Sequence, residues 1–196
     1  MKEWLSHPRR AAALRMGAGY VGLAALASVL ALVLREGPPW LHPEPWINAP
    51  PLMAMSASAM LGVGVAIALV AVTRLTVSRY GWARRLHEEL RPVARDLSLG
   101  QILALAGLSS LGEELLFRGL LTPVIGVLAS AALFGLVHQM RGPSRWVWAG
   151  WATAVGLLFG TLFALTGSLV GPLLAHAIVN AVNLTYLRDH DPAVEA

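Results

Sequence analysis

Cysteine is absent from the 196 residues, which excludes a disulfide framework, a thiolate metal site, a cysteine nucleophile and a lipidated cysteine anchor. Charge is also scarce: 13% of residues are Asp, Glu, Lys or Arg, about half the share of an ordinary soluble domain. What fills the space is apolar, at 56% of the chain with a mean hydropathy of +0.61. A water-soluble fold of this size cannot hide that much apolar surface, and the same composition excludes intrinsic disorder. The net charge of +4 and isoelectric point near 10.3 do not indicate nucleic acid, because the basic residues lie between apolar blocks rather than on one soluble domain. The chain reads as an integral membrane protein whose partner is the lipid bilayer. No repeat, low-complexity tract or linker divides it, so residues 1–196 read as one domain.

A bilayer core of about 30 Å takes roughly 20 apolar residues as helix. Six stretches qualify: Met16–Leu34, Leu52–Thr73, Leu99–Leu121, Thr122–Met140, Trp146–Thr166 and Ser168–Leu187. The predicted fold is an all-α polytopic bundle of about six transmembrane helices. Thirteen basic residues fall in segments that six crossings place on one side: Lys2, Arg9, Arg10 and Arg15; Arg74, Arg79, Arg84, Arg85, Arg91 and Arg95; Arg141 and Arg145; and Arg188. Only Arg35 falls in a loop on the other side. The charge bias predicts a multi-pass protein of the inner (plasma) membrane with both termini cytoplasmic. A cleaved signal peptide is not expected, since no small-residue cleavage site follows the first stretch.

Between the second and third stretches, Trp82, Leu86, Leu90, Val93 and Leu97 recur every three or four residues. This predicts an interfacial amphipathic helix, kinked at Pro92. His87-Glu88-Glu89 on that helix reads as a solvated polar face rather than a metal cluster. Gly156 with Gly160, and Gly167 with Gly171, have the spacing of close helix packing.

Polar side chains inside a span are costly and therefore informative. Glu114 and Arg118 are four apart and can neutralise each other on one helix face. Glu113 points about 100° away and has no local partner, so its carboxylate is available as a proton acceptor. His138 follows Phe134 by four residues, and His176 precedes Asn180 by four. Two imidazoles, an amide and a spare carboxylate from separate helices can activate water and stabilise an oxyanion, or bind a divalent metal through Glu113, His138 and His176. They can also build a proton relay, so a proton-coupled transporter is an alternative, as is a non-catalytic immunity or assembly factor.

In order, Glu113-Glu114-x-x-x-Arg118, Phe134-x-x-x-His138 and His176-x-x-x-Asn180 resemble the motifs of the CPBP intramembrane proteases, the family of the CAAX-processing Ras-converting enzyme and the bacterial Abi proteins. The resemblance covers Glu113–Asn180. It implies a membrane endopeptidase acting on a membrane-anchored protein or peptide, at a C-terminal anchor, sorting signal or leader. Glu113 with His138 would activate the attacking water, and His176 with Asn180 would support the oxyanion. Glu114, Arg118 and Phe134 would give structural support. No cofactor is favoured, although zinc is possible on Glu113, His138 and His176.

The stretch from Arg118 to Phe134 is shorter than in this family, which usually has a polar connector there. Capping logic puts the turn at Thr122-Pro123, whereas a turn at Gly126 would bring Glu113 and His138 to one level; the second is preferred. Counted from the span ends, Glu113 and His176 fall in the outer half of the membrane, which predicts a cavity opening outward. His138, close to Arg141, does not fit that depth.

Overall fold

A computed structural model describes residues 8–35 and 37–191. Lys2, one of the basic residues used for orientation, lies outside them. The helices are α1 (Pro8–Leu34), α2 (Pro51–Arg79), α3 (Gly81–Leu90), α4 (Leu99–Glu114), α5 (Thr122–Val137), α6 (Arg145–Thr166) and α7 (Val170–Asp189). The described residues form no β-strand, only an isolated bridge between Leu41 and Ser168. The bundle is all-α, as expected, and large apolar side chains such as Leu32, Val33, Met60, Ile67 and Leu128 point outward. A bundle that is apolar outside as well as inside is built for lipid.

Among the described residues five helical segments are long and apolar enough to cross a membrane; the third and fourth expected stretches form one helical run, Leu99–Val137, that folds back on itself at Gly126. The chain does not turn at Thr122-Pro123. Ser98 starts α4 with a capping box, its side chain accepting from the Gln101 N–H while the Gln101 side chain accepts from the Ser98 N–H. After Glu114 the helix widens into a π-helical stretch, Leu115–Leu121, which absorbs the hydrogen bond that Pro123 cannot donate. The carbonyl of Phe117, which accepts the Thr122 N–H, also accepts from the hydroxyls of Thr122 and Ser130, each at 2.9 Å. The reversal comes at Gly126, with φ 83° and ψ 162°, a conformation that essentially only glycine adopts. The returning limb, 127–137, is about 16 Å long at 1.5 Å per residue and brings His138 back beside Glu113.

Small residues set the spacing between helices. Gly62 of α2 and Gly171 of α7 face each other so closely that a Cβ on either would collide with backbone. Ser58 donates to the Ser168 carbonyl and accepts from the Gly171 N–H, both at 2.9 Å. Gly156 rests on Ala131 and Phe134, and Gly160 on Val127, so this pair packs α6 on α5. Gly167 has another use: at φ 73° it caps α6 in the left-handed region. Ala66 and Leu69 of α2, Val155 and Phe159 of α6, and Ala175 and Val179 of α7 form the largest apolar cluster.

The two ends of the bundle differ. At one end the segment after α1 folds over the helix tips: the N–H groups of His42, Trp46 and Ile47 donate to the carbonyls of Gly167, Ala164 and Leu165. Arg35 anchors it by donating to the carbonyls of Gly119 and Leu41. The other end gathers the start of α1, the end of α2, α3, the 138–144 loop and the end of α7. The expected kink is present as a 3-10 turn, Arg91–Val93, around Pro92. Here α3 departs from the expected solvated polar face. His87 is buried, with Nε2 donating to the His190 carbonyl at 3.0 Å. Glu89 accepts from the Ser144 N–H at 3.2 Å and from its hydroxyl at 2.9 Å. The helix is therefore docked on both sides, with its apolar face, Trp82, Leu86 and Leu90, turned to a cavity.

Candidate active site

The turn at Gly126 fixes the site. Glu113 lies thirteen residues before it and His138 twelve after, so the two limbs present them at one level. His138 Nε2 is 3.6 Å from Glu113 Oε2, and His176 Nε2 of α7 is 3.8 Å from the same oxygen. These separations are longer than a direct hydrogen bond. Glu113 Oε2 is buried and accepts no hydrogen bond from the protein.

Each imidazole is held by its far nitrogen. His138 Nδ1 lies 2.7 Å from the Phe134 carbonyl, and His176 Nδ1 lies 2.7 Å from Glu114 Oε1. A carbonyl and a carboxylate can only accept, which assigns the proton to Nδ1 in both rings. When the rings are neutral, both Nε2 lone pairs face Glu113. Three acceptors converging on one small volume need a proton donor between them, and water is the simplest. When His176 is protonated, Nε2 becomes a donor, and Glu114 lies where it stabilises the imidazolium.

The supporting residues surround this centre. Arg118 Nη1 donates to Glu114 Oε1 at 2.9 Å, and both side chains are fully buried. The Arg118 guanidinium also donates to the Gly156 carbonyl at 3.4 Å and lies over the Phe134 ring, 4.5 Å from its centroid. Phe134 stacks against His138 at 4.2 Å and meets Phe117 edge-on at 4.9 Å. Asn180 stands one turn after His176 and donates from Nδ2 to the Ser109 hydroxyl at 3.1 Å. All seven residues singled out in the sequence thus lie around one centre. Ser109, Trp148, whose ring lies 6.1 Å from His138, and Tyr20 of α1 join them. None of the three stands in a motif; only the burial of a hydroxyl in an apolar span marks Ser109 and Tyr20.

Glu113, His138 and His176 open onto a cavity of about 440 Å³ whose lining includes Trp82, Leu86, Trp148, Trp151 and Leu187. None of the residues lining it comes from the folded-over segment or the Gly126 turn. The cavity therefore lies toward the end where α1 begins and α7 ends, beside α3, whereas depth counting placed the opening toward the other end of the bundle.

Glu113, His138 and His176 were also the candidate zinc ligands. Their donor atoms converge, with Glu113 Oε2 at 3.6 and 3.8 Å from the two Nε2 atoms, and a zinc ion, if bound, would be held by these three residues.

With this geometry in place, comparison with known proteins is informative. Residues 95–182 match the family described as type II CAAX prenyl endopeptidase Rce1-like, and all three motifs lie inside the match. The match covers a little under half of the chain, and over that segment the chain is similar to this family. The uncharacterized protein YpbD of Bacillus subtilis strain 168 is 34% identical over 106 residues, covering 50% of this chain and 56% of the relative. The chain thus spans about half the length of that curated relative. No solved structure matches.

Proposed function

We propose that the chain is an intramembrane endopeptidase that hydrolyses a peptide bond of a membrane-associated protein or peptide with a water activated by Glu113 and His138. The observation that carries this reading is the convergence of Glu113 Oε2 with two oriented imidazoles at the base of a cavity. Glu113 takes a proton from the water as its oxygen attacks the scissile carbonyl. The oxyanion then accepts from protonated His176 Nε2 and from the Asn180 amide, whose second N–H remains after the bond to Ser109. His138 relays the proton to the leaving amine. Glu114, Arg118 and Phe134 hold His176 and His138 in place.

The reading takes Glu113 as the base and routes no step through a metal. Stoichiometric zinc with chelator-sensitive activity would contradict it. With the basic end cytoplasmic, the substrate segment, a C-terminal anchor, sorting signal or leader, reaches the site from the cytoplasmic side. The test is incubation of protein in proteoliposomes with candidate membrane peptides in oxygen-18 water. One heavy oxygen in the new carboxylate, formed by wild type and not by His138→Ala, is the expected result; intact peptide throughout would refute the reading.

A further inference from the structure

Tyr20 lies on α1, outside the segment 95–182 that matches the protease family, and no motif includes it. Yet its ring packs against Gly112, the residue before Glu113, and the Tyr20 and Glu113 side chains line the same cavity. The approach is built into the packing of α1 on α4. A Cβ on Gly112 would fall 2.9 Å from the Tyr20 carbonyl oxygen and 3.4 Å from its ring, so only glycine at 112 lets the two helices meet at this height. One turn earlier in both helices, Gly17 takes the Leu108 side chain in the same way, with a built Cβ 3.3 Å from Leu108 Cδ1. Two consecutive glycine contacts fix the register that brings Tyr20 opposite the residue after Gly112.

Glu113 needs such a partner. Its Oε2 faces the two imidazoles and accepts no hydrogen bond from the protein, so nothing on that side holds the carboxylate plane. A phenol can donate where a carboxylate can only accept. We infer that Tyr20 is a positioning residue, its hydroxyl donating to the Glu113 carboxylate and holding Oε2 toward His138 and His176. This rests on the proposed role of Glu113 as the base. It also gives α1, which carries no motif, a part in the site.

The substitution is Tyr20→Phe, which keeps the ring and its packing on Gly112. Its first readout needs no substrate: the carboxylate stretching band of Glu113 in the infrared difference spectrum, assigned by its loss in Glu113→Gln. The second is steady-state cleavage of a membrane peptide. The inference predicts a shifted Glu113 band, kcat lowered about tenfold to a hundredfold, as for a lost hydrogen bond to a charged group, and unchanged KM and Tm. An unshifted band overturns it even if kcat falls, and a shifted band with unchanged kcat removes any catalytic consequence and overturns it as well. If wild type cleaves nothing while the band shifts, the peptidase reading fails but the Tyr20–Glu113 contact stands.

Discussion

His176 Nδ1 and Glu114 Oε1 stand 2.7 Å apart, and this bond joins α7 to α4 at the centre of the bundle. The same carboxylate oxygen accepts from Arg118, so one atom ties a site imidazole to a fully buried guanidinium. Glu114→Gln leaves the Arg118 charge without its counter-ion, a loss of about 3–5 kcal/mol for a buried pair. We expect a lower Tm and lower yield together with lower activity. Thermal unfolding in detergent checks this, and an unchanged Tm would show that the pair bears little of the packing.

Gly126 should be equally sensitive for a different reason. Its backbone, at φ 83° and ψ 162°, is closed to residues with a Cβ at a cost of about 1–3 kcal/mol. There is open space where the Cβ would go, so a loss in Gly126→Ala comes from the backbone and not from a clash. Straightening the turn moves His138 away from Glu113, and activity should fall more steeply than stability. Parallel measurement of cleavage and Tm separates the two effects.

The sequence made the polar constellation legible because charge inside a span is costly and therefore conspicuous. Glu113, Glu114, Arg118, His138, His176 and Asn180 stand out on that ground alone, and the return at Gly126 followed from needing Glu113 and His138 at one level. Capping logic alone misplaced the turn, because Thr122-Pro123 resembles a helix start while a π-helical stretch carries the helix through it to Gly126. The docked state of α3 was not legible: Glu89 pairs with Ser144, fifty-five positions away, and no local spacing reports such a contact. The open end of the cavity depends on the segment after α1 folding over the tips of α6 and α7, which is again a contact between distant parts of the chain.

Docking of α3 should depend on pH. Burial holds the His87 imidazole below the usual histidine range; its bond to the His190 carbonyl works against this, while His190, Arg74 and Arg91 repel its charge. The folded state therefore favours neutral His87. Its contribution is complete above the ordinary histidine pKa of about 6.5 and is lost as pH falls through the lowered value. Spin labels on α3 and on the 138–144 loop should separate on acidification in wild type. The separation should become pH-independent in His87→Gln, which keeps a donor without a titrating ring.

The open end of the cavity can be read in this cysteine-free chain. Leu184→Cys lies in the cavity lining, and Ile47→Cys is exposed at the opposite end. A membrane-impermeant thiol reagent should label Leu184→Cys from the side that carries the termini and Ile47→Cys from the other. Labelling of both from the Ile47 side would reverse the assignment.

The most direct test of the account is the cleavage rate of Glu113→Gln against wild type in proteoliposomes, with Tm measured on the same preparations. Removing the base that activates water should lower kcat by about a hundredfold to ten-thousandfold, with Tm held near the wild-type value. Cleavage by Glu113→Gln at the wild-type rate would contradict it.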